Sequence, residues 1–361
     1  HADRALAALR PAAAPATGIA VPAGTTRLDL AVRLDSTGGS GPPPEDGTLL
    51  TLTLEDRYGV RYPAQLDGVP ADGATRTLTE DLSADAGAPD GAPAGPLRIV
   101  GFELDAPSEA AHVRHYTFEV SSITARTAGG TTRHLAAPVS RWRAEVSSSG
   151  AGGAPGPAPV RPVITRTAGD ARTPLSLAYD SGRLPPDPFG APPLDVVHVD
   201  AASPPPPVPA ALVTDRFAAA TGARAGSGIE VPLGHGNIRV RVAGVVREIP
   251  TTGPSASAAG QETGASVDGG AVLLDLRSVN RALAAAGDDV LAPGEWWFYP
   301  APGKEAQLAA ALHGRTDIDP GQIVVRGELS RRLHRDPLGA GPQSALLAAA
   351  IAAAALAAVG F

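Results

Sequence analysis

Histidines, carboxylates and aromatic rings are the residues here that could do chemistry, and their spacing decides which kind. Among eight histidines, His112 and His115 form the only close pair. A metal ion there would need further ligands, with Glu103 and Glu119 as the carboxylates to be brought near. Otherwise the pair reads as a solvent-facing strand edge or loop. His235 lies in Gly234-His-Gly-Asn237, which reads as a hairpin tip rather than a ligand site. Asp288 and Asp289 follow a helical stretch and fit helix-end solvation better than an acid/base pair. Trp296, Trp297, Phe298 and Tyr299 stand together in a chain with only 4% aromatic residues. Alternation puts Trp296 and Phe298 on one face and Trp297 and Tyr299 on the other. One face then fills a core, and the other is free to meet lipid headgroups, a partner domain or a substrate.

No motif carries a reaction. The chain lacks a G-x-S-x-G elbow, H-E-x-x-H, a phosphate-binding P-loop and G-x-G-x-x-G. It has no cysteine, which excludes disulfides, thiolate nucleophiles and Cys-bound metal. Acidic pairs can always be picked from 37 carboxylates, so their presence assigns no hydrolysis. A net charge of -7 argues against a nucleic-acid partner. Catalytic, cofactor-binding and metal-binding residues are therefore expected to number none.

The elements that would position such residues follow from hydropathy. At 43% hydrophobic and 19% charged, with Gly 42 and Pro 37, the chain can bury a core and favours strands and turns. Arg27–Asp35 alternates Leu28, Leu30, Val32 and Leu34 against charged residues, the period of a half-buried strand. Thr48–Leu54, Tyr58–Leu66, Thr75–Leu82, Leu97–Leu104, Tyr116–Ala125 and Arg133–Val146 read the same way. Residues 18–146 are expected to form an antiparallel β-sandwich, jelly-roll-like. Residues 147–162, rich in Gly and Pro, read as an interdomain linker.

Residues 163–330 have a mixed rhythm and are expected to form a small α+β domain. Its strands are Leu194–Val199, Ile229–Leu233, Ile238–Val246, Ala271–Leu276, Glu295–Tyr299 and Gln322–Arg326. Its helices are Ala210–Thr221, Ser278–Ala286 and Glu305–His313. Gly253–Gly270 reads as a long loop and Gly327–Asp336 as a polar helix. From Ala345 the run ALLAAAIAAAALAAVGF carries no charge. Its seventeen residues would make a helix of roughly 25 Å, just short of the ~30 Å bilayer core. Residues 342–361 therefore read as the start of a transmembrane helix, the alternative being a buried Ala-rich helix. With no methionine and His1 at the front, the sequence reads as an internal fragment.

On these residues the second half resembles the extracytoplasmic region of FtsX-like (MacB-type) ABC transporter permeases. Ala211–Leu233, Ile238–Thr252 and Gly270–Leu283 carry the likeness, with Leu329–Phe361 resembling the passage into the next membrane helix. The likeness spans about Leu175–Phe361; the sandwich lies outside it. It implies a chain at the cell membrane, mostly extracytoplasmic, that couples ATP hydrolysis to export or mechanotransmission. It also implies three partners: a separate cytoplasmic ABC ATPase, the lipid bilayer, and a second permease copy or subunit. The chemistry would then lie outside this chain, which would not be an enzyme. Arg326, Arg331, Arg332 and Arg335 precede the apolar run, and the positive-inside tendency would put that flank in the cytoplasm instead. A membrane-anchored adhesin or carbohydrate-binding protein is the alternative, with the sandwich as its working part.

Overall fold

The computed structural model describes residues 9, 17–39, 48–82, 95–109, 112–136, 142–149, 158–170, 172–183, 193–233, 236–249, 270–315 and 319–335. The chain divides into two units, 1–293 and 294–361.

Twelve strands make the larger part of the first unit. They are β1 (Ile19–Val21), β2 (Thr25–Gly38), β3 (Thr48–Glu55), β4 (Arg61–Val69), β5 (Asp72–Asp81), β6 (Leu97–Pro107), β7 (Arg114–Thr127), β8 (Thr132–His134), β9 (Trp142–Ser149), β10 (Val163–Ala168), β11 (Leu175–Asp180) and β12 (Leu194–Ala201). One sheet runs β4-β3-β6-β12-β9, with β1 also paired to β6. The other runs β10-β11-β7-β2-β5, with β8 also paired to β7. Every pairing in both sheets is antiparallel. The chain crosses repeatedly from sheet to sheet, which gives the sandwich its jelly-roll-like character.

The core is built from the alternation seen in the sequence. Leu28, Leu30, Val32 and Leu34 of β2 pack in one cluster with Leu50, Leu52 and Leu54 of β3, all at 0% exposure. Burying each such side chain contributes roughly 1.5–3 kcal/mol, and these are the terms that hold the two sheets face to face. Several register shifts interrupt the ladders, and one of them bears directly on the core. Ala31 pairs with Ser122 but Val32 pairs with Val120, so Ser121 is an extra residue in β7. Its hydroxyl donates to the Ala31 carbonyl at 3.1 Å. The bulge lets Phe118 and Val120 face inward together with Ile123 and Ala125 despite the odd spacing between 120 and 123.

Two expectations are corrected in the sandwich. Arg133–Val146 is not one strand, because β8 joins β7 in one sheet while β9 joins β12 in the other. The sandwich also does not end at 146. Ser147–Ser149 belong to β9, and β10, β11 and β12 complete the two sheets as far as Ala201. Gly and Pro mark where the backbone leaves a strand, and that occurs inside a domain as readily as between domains. Residues 150–157 of the expected linker lie outside the described residues.

After the sandwich, β13 (Ala210–Thr214), α1 (Asp215–Thr221), β14 (Gly228–Leu233), β15 (Gly236–Val246), β16 (Val272–Leu274) and α2 (Leu276–Ala286) form a small α+β layer. Its sheet runs β14-β15-β13-β16, with β13 and β15 parallel and the rest antiparallel. The helix expected at Ala210–Thr221 starts only at Asp215. Ala211, Leu212 and Val213 are buried between two strand partners, and a short apolar run takes the state its neighbours impose. Thr214 caps α1 by accepting from the Phe217 amide, and also accepts from the Ala271 amide at 2.9 Å. Gly270, at φ +83, passes so close that a Cβ there would stand 2.3 Å from the Phe217 nitrogen.

The second unit holds α3 (Glu305–His313), a 3-10 turn at Pro320–Gln322 and α4 (Arg326–Arg335). Glu295–Tyr299 and Gln322–Arg326 are not strands: 295–299 and 323–325 are irregular, and Arg326 opens α4. Neither finds a sheet edge to pair with, and an unpaired strand has no ladder to hold it. No described residue of this unit is buried. Among the described residues no helix is long and apolar enough to cross a membrane. The apolar run from Ala345 and the loop expected at 253–269 lie outside the described residues.

Candidate functional site

The most concentrated polar chemistry sits at one end of the sandwich, between the two sheets. Asp195 is the second residue of β12, and the strand's alternation turns it inward with Val197 and Val199. It is fully buried. Its carboxylate accepts from the Ser148 hydroxyl of β9 and from the Gly182 amide at 2.8 Å. Gly182 must be small, since a Cβ there would lie 3.0 Å from the Ser148 oxygen and 3.1 Å from the Asp195 carboxylate. Burial pushes the Asp195 carboxyl above its ordinary pKa, and the two hydrogen bonds only partly offset this.

Aromatic hydroxyls share this end. Tyr116 and Tyr179, partners in the β7–β11 register, stack with centroids 5.0 Å apart. Burial raises both phenols, Tyr116 to about 12 and Tyr179 well above 10. The Tyr179 hydroxyl is buried with no hydrogen-bond partner among the described residues. Beside them Arg114 pairs with Glu109 and donates to the Gly38 carbonyl at 3.1 Å.

The sequence candidates are dispersed. His115 pairs with Asp180 on the exposed side of the sheet, while His112 stands 3.8 Å from Glu109. Ser181 follows Asp180, and its hydroxyl donates to the Gly182 carbonyl at 3.1 Å. Glu103 lies on β6 and Glu119 on β7, in different sheets, and neither reaches the His112–His115 pair. Glu103 instead meets His198 at 2.8 Å. Among the described residues no three His, Asp or Glu side chains gather as a metal site. His235 lies outside the described residues. Asp288 is exposed just after the left-handed cap Gly287, and its amide donates to the Leu283 carbonyl at 3.0 Å, closing the helix end.

A second concentration of charge lies where α2 meets the outer face of the sandwich. Gly59, at φ +75, lets the β3–β4 turn approach Asn280 and Arg277, with its Cβ position 3.2 Å from the Asn280 Cβ. Glu55 pairs across strands with both Arg61 and Arg98. Arg277 and Arg281, one turn apart on α2, bring two more guanidinium groups. Burial lowers the pKa of Arg98 and Arg281, and repulsion from Arg277 adds to it, against the pull of Glu55. Asn280 is buried, and its amide donates to the Leu291 carbonyl at 3.0 Å and accepts from the Leu291 amide at 2.8 Å.

No protein-family model, curated protein or solved structure matches this chain. What the described residues can do therefore rests on geometry alone. Asp195, itself buried, is held by the half-buried Ser148 opposite it on β9, and at the seam Glu55 draws the arginines of α2 toward the sandwich. The sequence reading missed both. Strand parity could have found Asp195, because Val197 and Val199 share its face. The seam had no sequence signal, since Arg98 and Arg277 lie far apart in the chain.

The aromatic segment differs from its expected role. Trp297, Phe298 and Tyr299 are 73%, 50% and 101% exposed, and only Trp296 is half-buried. The alternation that was to send one face into a core has no strand to act through.

Proposed function

We propose that this chain is the extracytoplasmic region of an ABC-transporter permease of FtsX-like type, carrying motion rather than doing chemistry. The observation that supports the reading is the α+β layer. Ala211–Leu233 folds as strand, helix and strand, Ile238–Val246 as the next strand, and Gly270–Leu283 as a strand running into a helix. From the helix Asp215–Thr221 onward that is the order the resemblance implies, and the strands lie in one four-stranded sheet that the unexpected strand Ala210–Thr214 also joins. Force would pass through the seam between that layer and the sandwich, where the β3–β4 turn meets α2. ATP would be hydrolysed by a separate cytoplasmic subunit or domain.

Topology tests the reading. The chain has no cysteine, so Ala225→Cys, in an exposed turn before β14, gives a single reactive thiol. Intact cells carrying the protein are treated with a membrane-impermeant maleimide. Labelling on intact cells is the expected result. Labelling only after lysis would put the α+β layer in the cytoplasm and reject the permease reading.

A second reading, a membrane-anchored adhesin or carbohydrate-binding protein, is favoured by the size of the sandwich, which takes twelve of the sixteen strands among the described residues. Binding of the chain to a glycan array would support it.

A further inference from the structure

The second unit is the least self-sufficient part of the molecule. None of its described residues is buried, yet it exposes Trp297, Phe298, Tyr299, Val324 and Leu329, five of the eight large hydrophobic residues exposed in the described structure. Isolated apolar residues on a surface are ordinary, but three consecutive rings facing water are not. They leave a surface that gains free energy when something covers it.

The unit from Gly294 on balances six basic against six acidic residues, but four of the six basic ones fall on α4, and that helix says what kind of cover fits. Arg326, Arg331 and Arg332 are exposed on α4, Arg335 ends it, and Glu328 is the only acid on the helix. This contrasts with the net -7 of the whole chain. An exposed basic helix is attracted to anionic lipid headgroups, while Trp and Tyr rings prefer the boundary between headgroups and acyl chains. The uncharged run beginning at Ala345 follows ten residues after α4. A protein partner would need an acidic face of matching shape, whereas an anionic bilayer supplies both properties over any area.

We infer that the unit beginning at Gly294 docks on an anionic membrane surface, with Trp297, Phe298 and Tyr299 in the interfacial layer and the arginines of α4 against headgroup phosphates. This rests on the membrane reading proposed above. It adds a peripheral contact that an apolar helix by itself would not require.

Tyr299→Cys replaces a fully exposed ring and, in a cysteine-free chain, takes a single environment-sensitive fluorophore. The labelled full chain is mixed with vesicles of phosphatidylcholine, with or without phosphatidylglycerol, and with brominated acyl chains as quenchers. The expected result is a blue-shifted probe, quenched by the bromines, with the response stronger on phosphatidylglycerol. Arg331→Gln with Arg332→Gln should weaken the partitioning read by the probe roughly fivefold per charge removed. If the chain floats with vesicles while the probe stays in water, the docking is wrong and the membrane reading stands. A chain that does not associate with vesicles at all overturns both. A probe shielded without lipid, at rising protein concentration, would mean that a second copy covers this surface, and would also overturn the docking.

Discussion

Asp29 and Asp195 are two aspartates of one sandwich whose surroundings push their pKa values in opposite directions. Burial raises Asp29, but hydrogen bonds from Arg27, Thr79 and Arg126 outweigh it and leave its pKa lowered. Its stabilisation is therefore present above the unfolded pKa and is lost as pH falls through the folded value. Asp29→Asn should destabilise at neutral pH by about 1 kcal/mol, the small size reflecting half-exposed arginines. The difference should vanish in acid, as read by thermal unfolding across pH. Asp195 has the opposite sign. With its pKa raised, the protonated form favours folding below the unfolded pKa, and that advantage is lost as pH rises through the folded value. Asp195→Asn can keep both the Gly182 and the Ser148 contacts, so it should stabilise at neutral pH by roughly 1 kcal/mol and leave stability unchanged in acid. A loss of stability at neutral pH would show that the ionised carboxylate is needed there.

At the scale of elements, the bulge at Ser121 sets the register of the longest pairing, β2 with β7. Deleting Ser121 would leave Phe118, Val120, Ile123 and Ala125 at even spacing, so a bulge-free ladder keeps all four inward with Val32 still opposite Val120 and Ala31 opposite Ser122. The expected outcome is a retained cooperative thermal transition, and Ser121→Ala, which removes only the hydroxyl contact to Ala31, should cost about 1 kcal/mol or less. Loss of the cooperative transition on deletion would show that the bend and twist of the bulge are needed to close the core. The strands themselves were legible because Leu28 through Leu34 alternate without a break. The extra residue in Tyr116–Ala125 was not, since a bulge shows only against its partner. Ala210–Thr214 was read as helix for a related reason. Its apolar run has no period of its own, and the partners that make it a strand lie thirty and sixty residues further on.

For the whole molecule, the contact at Gly59 decides whether sandwich and α+β layer move as one body. Gly59→Val adds a β-branched side chain at φ +75, against Asn280 and the Arg277 backbone. It should loosen the seam by about 1–3 kcal/mol. Protease sites around α2 should then open before the sandwich unfolds. If proteolysis and global melting shift together, the two parts are a single cooperative unit and the seam does not act as a joint.

By itself the sequence determined the β-rich class, the inward faces of β2 and β3, and the separation between an all-β part and a mixed one, because those follow from local hydropathy period and side-chain type. The extent of the sandwich, the state of Ala210–Thr214, the burial of Asp195 against Ser148 and the gathering of arginines around Glu55 were decided only by tertiary structure. Each depends on which strands come to lie side by side, and that pairing is chosen by the free energy of the assembled core rather than by any segment alone. The aromatic segment follows the same rule. Alternation can assign rings to two faces, but only a neighbouring strand could have buried one of them.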